Sequence, residues 1–375
     1  MKVYLDLLKD ILENGHDHED RTGTGRRSVF SREVRFNLKE GFPLVTTRRI
    51  KPDVFIAENL FFLSGRTDIK FLNERGVKIW DAWAVNANTF KGYADKMLKK
   101  GIISEEEVNL LLETVPLNLL GDIGPMYGNM WRMWPVASPS GQEFGIRKEN
   151  MVRAFEELPS DMLAVAKEVY DNLEDDQKEG MDFETFALVF YYSSVDQINE
   201  LIWELKKNPY SSRLVVTALN PQFTPTPGFS PDENVLLGKG ALMPCHFAFQ
   251  CFVKPAVKEG GKLRLSLKAM IRSWDVPVGG PFNIAGYALI LSLLAHCCDM
   301  EVDELIISAG DAHIYLNQID EVKRQLEREP QPLPLLALSS EKKDLFAFTM
   351  DDIKIIDYVT HPKDALEPIK YAVSI

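Results

Sequence analysis

Leu242-Met243-Pro244-Cys245-His246-Phe247-Ala248-Phe249-Gln250 sets a cysteine between a proline and a histidine at the head of an apolar, strand-like run. Proline cannot donate to a sheet ladder, so it marks the start or edge of a strand. The next residue then stands at a rim that a ligand can reach. A free cysteine more often ends as a small buried hydrophobe, so the surroundings decide. Past a turn at Glu259-Gly260-Gly261, Leu263, Leu265, Leu267, Ala269 and Ile271 alternate with polar residues and lead to Arg272. Period two is the strand period. The two runs are expected to pair antiparallel and bring Cys245 beside Arg272. A cation there matters, because an unperturbed thiol, with a pKa of about 8.5, is mostly protonated at neutral pH.

Two further arginines keep similar company. Arg21 lies in Asp-Arg-Thr-Gly-Thr-Gly and Arg213 in Tyr-Ser-Ser-Arg, small and hydroxylic settings suited to a phosphate. The net charge of -12 excludes a broad nucleic-acid or anionic-membrane surface, since either needs a basic face. Any phosphate site is therefore a local pocket. With 375 residues and 45% hydrophobic content the chain can bury a large core. The 4 cysteines, at 245, 251, 297 and 298, form no CxxC pair and fit a reducing cytosol. The start is charged from Lys2 without an apolar signal core, and no apolar run is read as a membrane span. A soluble cytoplasmic protein is expected.

Along the chain, residues 1 to 15 have helical apolar spacing, 28 to 37 alternate like a strand, and Pro52 to Leu63 is helical with Glu58 among Phe55, Leu60, Phe61 and Phe62. A carboxylate so placed is either on the wet face or held for proton work. Trp80 and Trp83, in Ile-Trp-Asp-Ala-Trp, suit core packing and the wall of an aromatic ligand site equally. Residues at about 85–120 read as an inserted helical piece, with Ser104 as an N-cap before three acids. A second insertion, acidic and mostly helical, is expected at about 136–195. Its Asp175-Asp176-Gln177-Lys178-Glu179-Gly180 fails the calcium-loop template, which wants a glutamate where the chain has Phe186. No metal is expected. Residues 220–240 are read as an ordered surface loop. Pro281-Phe282-Asn283-Ile284 opens the most apolar helix, where Asn283 offers a donor and an acceptor to a pyrimidine edge. His313 and Tyr315 share one face of a strand.

These motifs, in this order, resemble the thymidylate synthase family. The resemblance rests on Asp20-Arg21-Thr22-Gly23-Thr24-Gly25, Phe42-Pro43-Leu44-Val45-Thr46-Thr47, Ile79-Trp80-Asp81-Ala82-Trp83-Ala84, Gly124-Pro125-Met126-Tyr127-Gly128, Pro244-Cys245-His246, Arg272-Ser273-Trp274-Asp275, Pro281-Phe282-Asn283-Ile284-Ala285, Gly310-Asp311-Ala312-His313-Ile314-Tyr315 and the closing Ala372-Val373-Ser374-Ile375. It implies an α+β fold, a kinked mixed β-sheet flanked by helices whose sheet face forms a homodimer. One domain over residues 1–375 is expected, carrying the two insertions.

By the same resemblance Cys245 adds to C6 of dUMP, and 5,10-methylenetetrahydrofolate is the co-substrate. Arg21, Arg213, Arg272 and Ser273 grip the phosphate, with Arg213 serving the partner's site. Asn283 reads the uracil edge, and His313 and Tyr315 hold the sugar hydroxyl. Glu58 organises proton transfer and Tyr127 assists loss of the C5 proton. Trp80, Trp83, Asp275, Gly279, Phe282 and Ile375 form the folate side, with Ile375 closing over the complex.

The chain departs from the family pattern in places. Ser212-Arg213 stands where two arginines are usual, and Arg26 or Arg27 is the expected replacement cation. Lys51 replaces a common histidine, Ile271 a common glutamine, and Pro277 and Gly280 alter the loop before Pro281. The resemblance implies a synthase giving dTMP and dihydrofolate. The alternatives are a hydroxymethylase giving 5-hydroxymethyl-dUMP and tetrahydrofolate, and an idle nucleotide- or RNA-binding homologue. Retention of Cys245, Glu58, Tyr127 and Arg272 argues against idleness.

Overall fold

The structure is a computed structural model that describes residues 1–20, 23–113, 119–135, 160–171, 173, 178, 181–192, 194–360 and 368–373. The strands, in chain order, are β1 (His16–His18), β2 (Arg26–Asn37), β3 (Trp134–Pro135), β4 (Ser194–Val195), β5 (Val215–Thr217), β6 (His246–Lys254), β7 (Arg264–Asp275), β8 (Glu301–Tyr315), β9 (Leu335–Leu338) and β10 (Ile353–Ile356). By internal contacts the chain forms two compact units. One comprises residues 1–60, 201–217 and 244–375, the other 61–200 and 218–243, with boundaries inside helices Pro52–Leu63 and Gln197–Lys207, at the end of β5 and just ahead of β6.

The first unit is built on a mixed sheet in the order β1-β2-β8-β7-β6-β5. β6 and β7 pair antiparallel, as the alternating runs require, while β7 and β8 are parallel. Parallel neighbours need a long crossover, and here it is helix Gly279–Cys297, packed on both strands. That helix is apolar all round because it is covered all round. Leu289, Leu291, Leu293 and Leu294 are fully buried, each worth about 1.5–3 kcal/mol relative to exposure. It is also long and apolar enough to cross a membrane by length and composition, which corrects the expectation that no run approaches a span. With 83% of its apolar window buried, it reads as a core helix. It starts at Gly279, ahead of the expected Pro281, because Asp275 Oδ1 accepts from the Val278 N–H at 3.1 Å and turns the chain early.

Glycine decides one close approach in this unit. A Cβ on Gly286 would lie 2.7 Å from Asn59 Nδ2. Asn59 is itself buried, its amide donating to Phe55 O at 2.7 Å. The missing side chain thus sets the seat of helix Pro52–Leu63, the element that carries Glu58.

In the second unit, helices Ala87–Lys99 and Glu105–Glu113 occupy the first expected insertion. Ser104 and Glu107 cap each other reciprocally, Ser104 N donating to Glu107 Oε2 at 2.7 Å and Glu107 N to Ser104 Oγ at 3.2 Å. The second insertion contains helices Ser160–Asp171 and Phe183–Tyr192, with a small core of Ala166, Ala187 and Leu188 flanked by Leu163, Phe183 and Phe186. Most of the rejected calcium-loop sequence lies outside the described residues. The 220–240 stretch is more regular than a loop. It contains helix Pro231–Leu236, started by a capping box of Ser230 and Glu233 with proline in the first turn.

Candidate active site

Cys245 stands one residue ahead of β6 and is half-buried. Its carbonyl accepts from Arg272 N at 2.8 Å. Arg272 Nε donates to Pro244 O at 3.0 Å, and Arg272 Nη2 lies 3.9 Å from Cys245 Sγ. The Pro244 carbonyl at this rim holds one arm of the guanidinium, and the fork then brings Nη2 to the sulfur. The ladder shifts register between His246 and Ala248. Such bulges re-aim side chains and recur beside active sites.

β8 supplies the other wall. A Cβ on Gly310 would meet Arg272 O at 2.9 Å, so glycine lets β8 close against the arginine's own backbone. Ser273 then pairs with Asp311, and Asp275 with His313. His313 is buried, its Nδ1 3.2 Å from Asp311 Oδ1, and its ring meets Tyr315 edge-on at 5.2 Å. Burial pushes the Asp275 carboxyl above the usual carboxylate range, against the Val278 N–H, His313, Gln318 and Arg48, which pull it down. Burial opposes the Asp311 charge too, but His313, Arg26 and Ser28 prevail and hold that carboxyl below its usual range.

A family model described as Thymidylate synthase matches residues 2–373. The chain belongs to the thymidylate synthase family. Membership supports an enzyme that transfers a one-carbon unit to dUMP, with methylenetetrahydrofolate as co-substrate, and the α+β architecture with its mixed sheet agrees.

The first unit thus gathers Cys245, Arg272, Ser273, Asp275, His313 and Tyr315 on adjacent strands, with Gly279, Phe282 and Asn283 on the first turn of the crossover helix. Asn283 Oδ1 accepts from Trp274 Nε1 at 3.1 Å. Glu58 is half-buried on helix Pro52–Leu63. Arg213 is exposed ahead of β5, next to exposed Ser212. Lys51 is exposed, and Ile271 is buried opposite His246. Arg21 and Ile375 lie outside the described residues.

The two cations expected to replace the missing arginine both have carboxylate partners. Arg26 Nη2 is 2.7 Å from Asp311 Oδ2, and Arg27 clasps Asp17 through Nε at 2.6 Å and Nη2 at 2.8 Å.

In the second unit Trp80, Trp83 and Tyr127 form one aromatic cluster with Phe62. Trp80 meets Trp83 at 5.5 Å and Tyr127 at 5.8 Å, and Phe62 meets Tyr127 at 5.1 Å between ring centroids. Trp80 and Tyr127 are buried, 7% and 4% exposed, as the core reading of Trp80 requires. Tyr127 has φ 44°. A bulky residue held in that region stores strain, and such residues cluster at functional sites. Gly128 follows it because a Cβ there would fall 2.0 Å from Phe62 O.

Four site residues escaped the sequence reading. Trp274 orients Asn283, and Asp311 orients His313. His246 has its Nδ1 2.9 Å from Tyr287 OH, and burial lowers its pKa to about 3, so it is neutral. Gln318 is fully buried and bonded to Tyr315 N at 3.1 Å. Trp274, Asp311 and His246 lie inside quoted motifs and Gln318 follows one, and that placement is the only signal the sequence carries for them.

Proposed function

We propose that the chain is a thymidylate synthase, methylating C5 of dUMP with 5,10-methylenetetrahydrofolate and releasing dTMP and dihydrofolate. The observation that carries this reading is the Arg272 guanidinium at 3.9 Å from Cys245 Sγ in a chain of this family. A guanidinium beside the sulfur favours the thiolate, which is the nucleophile. The Cys245 sulfur forms a bond to C6 of the uracil, and the ring electron pair moves toward O4, leaving C5 able to attack a one-carbon electrophile. Glu58 serves the proton at O4 through water, and Tyr127 assists removal of the C5 proton. Loss of that proton releases the folate nitrogen from the transferred carbon, hydride from the same folate turns the exocyclic methylene into methyl, and expulsion of Cys245 then restores the ring. The folate supplies the carbon and, in a synthase, the hydride.

Asn283 supports uracil as the base. Uracil presents an N3–H donor and an O4 acceptor, which the amide matches with Oδ1 and Nδ2. Turning the amide for cytosine would set its NH2 against the Trp274 N–H. Arg272, Ser273, Arg213 and Arg21 hold the phosphate, and His313 and Tyr315 hold the sugar hydroxyl. Asp275, Gly279, Phe282, Trp80, Trp83 and Ile375 serve the folate. We read the chain as one family domain bearing two insertions, and as a cytoplasmic homodimer in which Arg213 serves the partner's phosphate site. Phe30 on β2 and Phe252 on β6 are each exposed, at 80% and 62%, and are apolar residues of the sheet that a dimer would cover.

The second reading, hydroxymethylation, draws on the departures at Lys51, Ile271, Pro277 and Gly280. Retained Trp80 and Tyr127 favour the synthase, because an apolar wall keeps water from the exocyclic methylene. The test is turnover of dUMP and methylenetetrahydrofolate, with the nucleotide weighed by mass spectrometry and dihydrofolate followed by absorbance. A methylated product with stoichiometric dihydrofolate is expected. A product heavier by one oxygen, without dihydrofolate, would replace the synthase with the hydroxymethylase.

A further inference from the structure

We propose that Gln318 is a positioning residue for the folate half of the reaction, tying Asp275 to the 368–373 segment before any ligand binds. The inference rests on the function proposed above. Gln318 lies in the 3-10 turn Leu316–Gln318 that follows β8 and is 0% exposed. A buried amide must satisfy one acceptor and two N–H bonds, because a group left bare keeps its full desolvation cost. This one reaches three separate parts of the site. Its Oε1 accepts from Tyr315 N at 3.1 Å and its Nε2 donates to Ala372 O at 2.9 Å, while the same amide draws the buried Asp275 carboxyl down against its burial. The amide therefore joins the end of β8 to residue 372 and acts on Asp275 from the same place.

About two helical turns further on, a second fully buried glutamine repeats the pattern. Gln325 Nε2 donates to Thr47 Oγ1 at 2.8 Å, and Gln325 Oε1 accepts from Tyr371 OH at 2.5 Å. The Tyr371 ring lies under the Arg48 guanidinium, 4.9 Å from Cζ to centroid, and Arg48 Nη2 donates to Pro277 O at 2.9 Å. Ile369 is buried beside them in sequence, at 7% exposure. The segment is therefore anchored through Ile369, Tyr371 and Ala372. The loop that carries Asp275 and Pro277 is anchored to the same groups.

The consequence is a separation of effects. Cys245, Arg272 and Asn283 make none of these bonds, and of the nucleotide side only the Tyr315 backbone N–H does, so loss of the Gln318 amide weighs more on the folate side than on the nucleotide. The test compares wild type with Gln318→Ala and the milder Tyr371→Phe. Steady-state kinetics are measured in each substrate, and hydrogen exchange at the 368–373 amides is measured without ligand. For Q318A we expect KM for methylenetetrahydrofolate to rise about tenfold, the worth of roughly one hydrogen bond, with KM for dUMP within about twofold and 368–373 exchanging faster. Y371F should show the same pattern at about threefold.

Unchanged folate KM and unchanged exchange in both variants would overturn the proposal. So would equal rises in both KM values with a collapsed melting temperature, which marks a merely structural role. Exchange reads the anchoring without turnover, so a wild-type protein with no activity would sink the functional reading alone.

Discussion

Trp274 Nε1 donates to Asn283 Oδ1 at 3.1 Å, so a residue of the arginine-bearing strand fixes the orientation of the amide proposed to read the base. Trp274→Phe removes the donor and keeps most of the buried ring. The amide is then free to turn, and kcat/KM for dUMP should fall about tenfold while discrimination against dCMP narrows, in line with the loss of one hydrogen bond. Competition between the two nucleotides measures it, and undiminished discrimination would count against the orienting role.

Arg272 reaches Pro244 O through Nε and Cys245 Sγ through Nη2, a fork that lysine cannot reproduce. Arg272→Lys keeps the charge but loses the aim. Its kcat/KM should drop roughly tenfold to a hundredfold, with the protein folded as judged by circular dichroism. Wild-type rates in this variant would show that charge alone suffices.

Asp311 is held below the usual carboxylate range, with burial opposing and His313 and Arg26 prevailing. A depressed carboxyl contributes stability above its unfolded pKa of about 3.9 and loses it as pH falls through the folded value. Asp311→Asn should therefore melt below wild type at neutral pH, and the gap should close as pH drops below about 4. A gap that persists or widens in acid would contradict the sign. Its effect on activity should fall on KM for dUMP, since His313 loses its fixed tautomer.

Gly286→Ala places a methyl 2.7 Å from the buried Asn59 amide. Overpacking of this kind costs about 1–3 kcal/mol, read from urea unfolding midpoints. Because the same helix carries Glu58, kcat should fall as well. A variant as stable and active as wild type would mean that Asn59 yields freely.

Much of this was legible in the chain and some was not, for physical reasons. Alternation over 263–271 and the proline before Cys245 dictated an antiparallel pair, and the thiol and guanidinium meet where that pairing puts them. Ser104 capped its helix as its acids required. The Trp274–Asn283, Asp311–Arg26 and Gln318–Ala372 contacts were not legible, because each joins residues brought together by packing or sheet register, whereas Asp311 and His313, on one face of β8, were within reach of the period-two argument. The carboxylate partners of Arg26 and Arg27 were hidden for the same reason: register set Arg26 opposite Tyr315 and within reach of Asp311, and β1 set Arg27 on Asp17. The helix at Pro231–Leu236 was hidden by proline and glycine, yet proline in a first turn starts helices as readily as it ends them.

The central claim is that Cys245 bonds covalently to C6 of dUMP during one-carbon transfer. It is tested most directly by incubating the protein with 5-fluorodeoxyuridylate and methylenetetrahydrofolate, weighing the intact protein, and mapping the modified peptide. Fluorine at C5 cannot leave as a proton does, so the reaction should halt with nucleotide and folate bound on Cys245, and Cys245→Ser should stay unmodified. A protein whose mass does not change, or an adduct that survives loss of Cys245, would contradict the account.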